Sequence, residues 1–275
     1  MTDQPKPLTG TTVVTLAVNL PGPLAASRLV EFGARVIKVE PPAGDPLGLM
    51  VPDWYGELAA GQEVVKLDLK DAADRARLDE ILAEADLLLT SFRPSANERL
   101  GLPASAEKHG LAYVEIIGSA SHPDHSGHDL TYQAAFGTVV PPAMPPLPIA
   151  DLLGAERATS TCLAMLRARE LGRPATAQVA LEDAAQWASG AMRLTGPGAI
   201  LNGILPNYNI YPTSDGWVAV GALEPHFAAR LAEHVAPDDR LAETFKTRTS
   251  DDWEAFGNEH DIPLVAVRRS PHSPS

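Results

Sequence analysis

Residues 11–40 constrain the fold more than any other stretch. Thr11-Thr-Val-Val-Thr-Leu-Ala is a β-branched apolar run and reads as a buried strand. Asn19-Leu-Pro-Gly-Pro is a loop in which Pro23 suits the first position of a helix, and Leu24 to Phe32 continues as helix. Gly33 ends that helix through a left-handed residue. Arg35-Val-Ile-Lys-Val-Glu is the next strand. Two strands joined through a helix pair in parallel, over a right-handed crossover. A parallel sheet hides both faces under helices, so the rest of the chain must alternate strands and helices.

It does. Val64 to Lys70 alternates and reads as a strand, and Asp71 stands where it caps a helix from Ala72 to Ala85. Asp86 to Phe92 and Ala112 to Gly118 are further strands, separated by a loop and short helix from Arg93 to Leu102. A long helix follows Asp151, with basic residues at its end. Arg173-Pro-Ala-Thr is a turn, Ala177 to Leu181 a strand, and Glu182 to Ser189 a helix. The predicted class is α/β, a doubly wound Rossmann-like parallel sheet with a smaller α+β second domain. The break at Gly196-Pro-Gly-Ala puts the boundary near residue 200, giving domains 1–200 and 201–275. In the second, Asn207 to Pro212 and Gly216 to Gly221 form a hairpin around Thr213-Ser-Asp-Gly. Pro225 starts a helix, Ser250-Asp-Asp-Trp-Glu starts another with a capping-box pattern, and Ile262 to Val267 is a last strand. The tail from Arg268 reads as flexible.

Several function classes drop out. No Gly-x-Gly-x-x-Gly turn follows the first strand and no Walker A pattern occurs, which argues against the usual dinucleotide and P-loop modes. The net charge of -13 argues against nucleic-acid binding, and it obliges an anionic cofactor to find a local basic pocket. No apolar run is long enough to span a membrane, and the N-terminus lacks a signal-peptide core, so the expected location is cytoplasmic. Cys162 stands alone, so no internal disulfide forms, and its apolar helix makes it a core residue. His122, His125 and His128 lie three apart, as metal ligands on one helix face would. Pro123 and Gly127 break any helix there, and no metal is assigned.

The chemistry concentrates between Ser126 and Asp151. An imidazole, His128, stands beside one carboxylate, Asp129, and a second carboxylate, Asp151, follows the proline-rich connector 141–148. Each Asp precedes a run of helical periodicity, where an N-cap accepts backbone N–H groups at the positive end of the helix dipole.

Gly-His-Asp-Leu-Thr-Tyr at 127–132, Ala-Asp-Leu at 150–152 and Gly-Ala-Leu-Glu-Pro at 221–225 resemble the 2-methylacyl-CoA racemases of the family III CoA-transferase superfamily. So do Phe-Gly-Ala-Arg-Val-Ile-Lys-Val-Glu-Pro-Pro at 32–42, Lys-Leu-Asp-Leu-Lys at 66–70, Ser-Phe-Arg-Pro at 91–94 and Gly-Arg-Pro-Ala-Thr-Ala-Gln-Val at 172–179. Each motif is weak, but their order and spacing carry the resemblance along nearly the whole chain. It implies that Asp151 is the central catalytic carboxylate. In the racemases such an Asp works opposite a His matching His128 and a Glu matching Glu224, one base on each face of the carbon next to the thioester. Helix N–H groups would steady the enolate-like oxygen. In the transferases the same Asp attacks an acyl-CoA and forms an anhydride, then a CoA thioester. Histidine rather than tyrosine in the Gly-x-Asp triplet tilts the reading to racemase. The implied CoA contacts are Asn19, Leu20, Lys38, Leu67, Lys70, Phe92, Arg93 and Arg99. A coenzyme A thioester is then substrate rather than resident cofactor, and a homodimer is the implied assembly. The basic segment expected before Lys66 is absent. The chain also reads as a shortened member, stopping near the last small-domain strand. These departures motivate a third reading beside racemase and transferase, a catalytically reduced homologue that binds acyl-CoA.

Overall fold

Strands form where β-branched and leucine runs allow both faces to be buried. The computed structural model describes residues 5–190 and 203–268, and six strands form its large sheet, the four central ones buried on both faces and the two at the edges more exposed. They are β1 (Thr12–Thr15), β2 (Arg35–Glu40), β3 (Glu63–Lys66), β4 (Leu87–Thr90), β5 (Ala112–Ile117) and β6 (Thr176–Ala180). All pair in parallel, in the order β3-β2-β1-β4-β5-β6. This is the order of a doubly wound sheet, with its direction of growth reversing between β1 and β4.

Alternate residues of each strand feed two cores. Val13, Val36, Leu87, Leu89, Val114 and Ile116 face helices α1 (Pro21–Glu31) and α8 (Ile149–Glu170), where Ala25, Leu29, Ala158, Cys162 and Leu166 are buried. Val14, Ile37, Val39, Leu88 and Tyr113 face α4 (Ala72–Ala83) and α6 (Leu102–His109), through Leu78, Leu82, Leu102 and Ala106. Each leucine so buried contributes about 1.5–3 kcal/mol. Because α8 shares the α1 face, the connection from β5 to β6 crosses that face in the direction opposite to the β1-to-β2 connection. The two crossovers therefore have opposite hands, an exception to the right-handed rule. The long connector after β5, which carries α7 (Asp129–Ala135), supplies the slack.

The alternation expected from sequence is observed, with local differences. α1 begins at Pro21, two residues before the expected Pro23. β3 stops at Lys66, because the chain turns into the Asp71 cap, whose side chain accepts from the N–H groups of Ala73 and Asp74. Three further helices occupy stretches to which no element is assigned from the sequence: α2 (Pro46–Met50), α3 (Pro52–Ala59) and α6. Each carries proline in its first turn, where the missing N–H costs nothing. The short helix read after Arg93 is α5 (Pro94–Leu100), and α9 (Leu181–Ala188) follows β6.

The chain divides into two compact units, Met1–Gly190 and Ala191–Ser275. The second has an antiparallel sheet in the order β7-β8-β9: β7 (Tyr208–Pro212), β8 (Trp217–Gly221) and β9 (Leu264–Ala266). Its helices α10 (Pro225–His234), α11 (Leu241–Phe245) and α12 (Ser250–Glu259) share a core of Val218, Val220, Leu231, Phe245, Trp253 and Leu264. Thr249, one residue before the expected start, caps α12 by accepting from the Asp252 N–H. The Gly196–Ala199 break and the tail beyond Arg268 lie outside the described residues. Among the described residues no helix is long and apolar enough to cross a membrane, and no three His, Cys, Asp or Glu side chains cluster as a metal site would need.

Candidate active site

The loops after β1, β4 and β5 converge where the strand order reverses, the place at which doubly wound sheets bind ligands. A cavity of about 240 Å³ opens there. Val18 and Asn19 line it from the β1 loop, Ser91, Phe92 and Arg93 from the β4 loop, and Gly118 from the end of β5. His125 to His128, Tyr132 and Asp151 complete the wall. The structure thus brings His128 and Asp151 to one cavity.

Neither Asp occupies the position that periodicity suggested. His128 is the N-cap of α7, and Asp129 is the first residue inside it. The N-cap of α8 is Pro148, so Asp151 sits in the first turn. The Asp129 carboxylate does cap a helix, but the other one. Its Oδ1 accepts from the N–H groups of Ala150 at 2.7 Å and Asp151 at 3.3 Å, both on α8. The local reason is that a proline N-cap has no side-chain acceptor to offer.

Asp151 is half-buried, and its carboxyl is pushed up to about 7. Burial is the main cause and the Asp129 charge the second. No hydrogen bond contributes to compensate that burial. The helix dipole favours the anion by only about 0.3–1 kcal/mol, less than burial takes away. His128 is exposed, with its main-chain N–H donated to the Thr131 hydroxyl. Tyr132 is buried between two glycines: a Cβ on Gly118 or on Gly127 would stand 2.4 Å from its hydroxyl. The glycine of the Gly-His-Asp triplet is therefore required by the ring behind it.

A second cavity, of about 400 Å³, lies beside the first. Pro41, Pro42, Leu67, Leu69, Lys70 and Leu100 line it, and Val18 and Phe92 stand between the two. Of the residues expected to hold coenzyme A, Leu67 and Lys70 line this cavity, Asn19 and Arg93 the smaller one, and Phe92 both. Arg99 is exposed on α5 and lines neither. Leu20 is packed with Leu47 and Leu58.

Lys38 differs most from expectation. It is 1% exposed, and its ammonium donates to Asp45 at 2.7 Å and to the Ala17 carbonyl at 3.1 Å. That charge serves the protein interior and not a phosphate. Asp45 in turn accepts from the N–H groups of Asn19 and Leu47. The Lys38–Asp45 pair thereby holds the β1 loop, in which Asn19 takes a left-handed φ of 65°.

Residues 8–239 match the family described as CoA-transferase family III. The chain belongs to CoA-transferase family III. Its relatives in that family include both transferases and racemases. It is 28% identical to the succinyl-CoA–D-citramalate CoA-transferase of Chloroflexus aurantiacus, over 96% of this chain and 79% of that one. It is 29% identical to the mouse alpha-methylacyl-CoA racemase, over 90% and 68% of the two chains, and 27% identical to the human one, over 90% and 74%. Among solved structures, a hypothetical protein of Mycobacterium tuberculosis superposes with a TM-score of 0.83 at 22% identity, covering 97% of this chain and 86% of that one. A CaiB/BaiF family protein of Brucella suis gives 0.79 at 22%, covering 97% and 85%. These likenesses show a shared fold.

One residue beside this family III site escaped the sequence reading: Gln133 is 2% exposed and joins Asp129 to the connector. Ser91, quoted from the sequence only within a motif, accepts from the Val18 N–H and ties the β4 loop to the β1 loop. A polar residue one helical turn after Asp129 was the available signal for Gln133.

Proposed function

We propose that this family III chain is an acyl-CoA enzyme that racemises the α-carbon of a 2-methylacyl-CoA by two-base proton transfer. One base takes the α-proton and the C–H electron pair moves into the thioester as an enolate. An acid on the opposite face then returns a proton to the same carbon. Asp151 serves one face, and His128 assisted by Glu224 serves the other. Glu224 is exposed at the head of α10 in the second unit, and its part in the reaction rests on the resemblance.

The observation that carries this reading is a carboxyl pushed to about 7, lining one cavity with an imidazole. A group of that acidity is about half protonated at neutral pH, so it can both take and give a proton. The smaller cavity would take the acyl end and the larger, apolar one the nucleotide end of coenzyme A, with Asn19, Leu67, Lys70, Phe92 and Arg93 at hand. A homodimer belongs to the same reading, and light scattering tests it.

The decisive experiment follows the α-proton of one enantiomer of a 2-methylacyl-CoA in heavy water by NMR. The signal is expected to vanish with the wild type and to persist with Asp151→Ala and His128→Ala. A signal that persists with the wild type rejects racemisation of that substrate. CoA transfer through an Asp151 anhydride is the second reading, favoured by the similarity to the Chloroflexus transferase across 96% of this chain. It predicts a trappable acyl adduct on Asp151 and double-displacement kinetics. Calorimetric binding of CoA with neither activity would leave the binding homologue.

A further inference from the structure

The cap on α8 comes from a clamp of two residues, neither of which takes part in the proton transfer proposed for the site. Asp129 Oδ1 holds the N–H groups of Ala150 and Asp151, while Oδ2 accepts from Gln133 Nε2 at 2.6 Å. The same Gln133 nitrogen donates to the Leu147 carbonyl at 2.9 Å, just before the helix starts. Gln133 Oε1 accepts from the Thr138 hydroxyl at 3.2 Å. The Gln133 side chain is thus buried and used at both of its atoms, yet it does not line the cavity.

We propose that Asp129 and Gln133 are positioning residues: Gln133 aims the Asp129 carboxylate into the first turn of α8, and that carboxylate fixes where Asp151 stands and what charge it faces. The catalytic half of this inference rests on the reading of Asp151 as the reacting carboxyl. Its physical content is geometric. The first N–H groups of a helix have no partner within it, and here an acceptor from another element orients that turn. A reacting group displaced by an ångström loses rate steeply, so the holder of the turn matters to the reaction without touching substrate.

The surroundings of Asp151 make the clamp readable. Asp129 is the acidic neighbour, on α7. Tyr132 and His128 face the cavity from α7, His125 and Arg93 from the loops, and Glu182 lies toward Tyr132 from α9. Removing the Asp129 charge takes away the repulsion that opposes ionisation of Asp151, so its titration moves to lower pH.

The test uses the full chain labelled with ¹³C at the aspartate carboxyls, with Asp151→Asn assigning the resonance. Asp129→Asn and Gln133→Met are compared with the wild type by carboxyl titration and by α-proton exchange at saturating substrate. Asp129→Asn is expected to move the Asp151 titration acidward by about one unit. Gln133→Met is expected to lower kcat for exchange about tenfold or more, with KM within about threefold. An Asp151 titration unchanged in Asp129→Asn overturns the proposal, as does wild-type kcat in Gln133→Met. Should Gln133→Met fail to fold, or the wild type not exchange the substrate, the Asp129→Asn titration decides alone. An Asp151→Asn protein with wild-type exchange sinks the catalytic reading of Asp151, and the titration still judges the clamp.

Discussion

At the scale of single residues, the site is held at a cost in stability, and Asp151 shows it. Its carboxyl titrates near 7 in the folded protein, against a usual 3.8. Above pH 7 the group is ionised in both states, and the folded state carries the full burial cost. Between 7 and about 4 the folded group is neutral while the unfolded one ionises, so the cost shrinks as pH falls, and below that it is gone. Asp151→Asn removes the ionisation and should therefore stabilise the protein at pH 8, by roughly 2 kcal/mol after discounting for partial exposure. Thermal unfolding at pH 8 and pH 4 checks this. The variant should melt a few degrees above the wild type at pH 8 and with it at pH 4. An Asn variant that melts below the wild type at pH 8 contradicts the assignment. A group that gains stability and loses activity on the same substitution is one retained for its chemistry.

At the scale of elements, the β1 loop depends on a buried ion pair. Lys38 on β2 and Asp45 at the head of α2 are both almost fully buried, with Glu40 as a further anion 3.8 Å from the ammonium. Breaking such a pair leaves a charge without its partner, which costs about 3–5 kcal/mol. Asp45→Ala should lower the denaturation midpoint accordingly. A loss under about 1 kcal/mol would show that Glu40 takes over the ammonium. The same loop shows why legibility stopped where it did. Strands are legible as continuous apolar runs where both faces are buried, as in Val36-Ile37 and Leu87-Leu88-Leu89, and the long helices by their helical spacing. Lys38 was not, because one lysine inside an apolar strand looks alike whether it meets a phosphate or an Asp seven residues on. His128 and Asp151 were legible as a chemical set. The Asp129 cap was not, since it joins positions 21 residues apart across the connector. The helices at Pro46, Pro52 and Leu102 are short, with too few turns for a helical period to stand out in the sequence.

At the scale of the molecule, two units carry separate cores, and the match to family III from residue 8 to 239 covers most of the first and reaches into the second. The first unit contains the whole parallel sheet, both cavities and the Asp129–Gln133 clamp, and its size is that of an independent domain. Residues 1–190 alone should therefore unfold cooperatively and bind coenzyme A, measured by calorimetry. They should not exchange the α-proton at the wild-type rate, because the proposed partner of His128, Glu224, belongs to the second unit. Loss of activity on removing a whole unit has many causes, so Glu224→Gln in the full chain is the necessary companion. With an intact fold it should bind coenzyme A as the wild type does and lose about a hundredfold or more in kcat, the range of general acid–base catalysis. If residues 1–190 exchange at the wild-type rate, Glu224 is dispensable and His128 works unaided. If the short chain binds and Glu224→Gln is fully active while the short chain is not, the second unit contributes something other than that carboxylate. Only the pair of results assigns Glu224 its part beside His128: binding kept in both proteins, exchange lost in both.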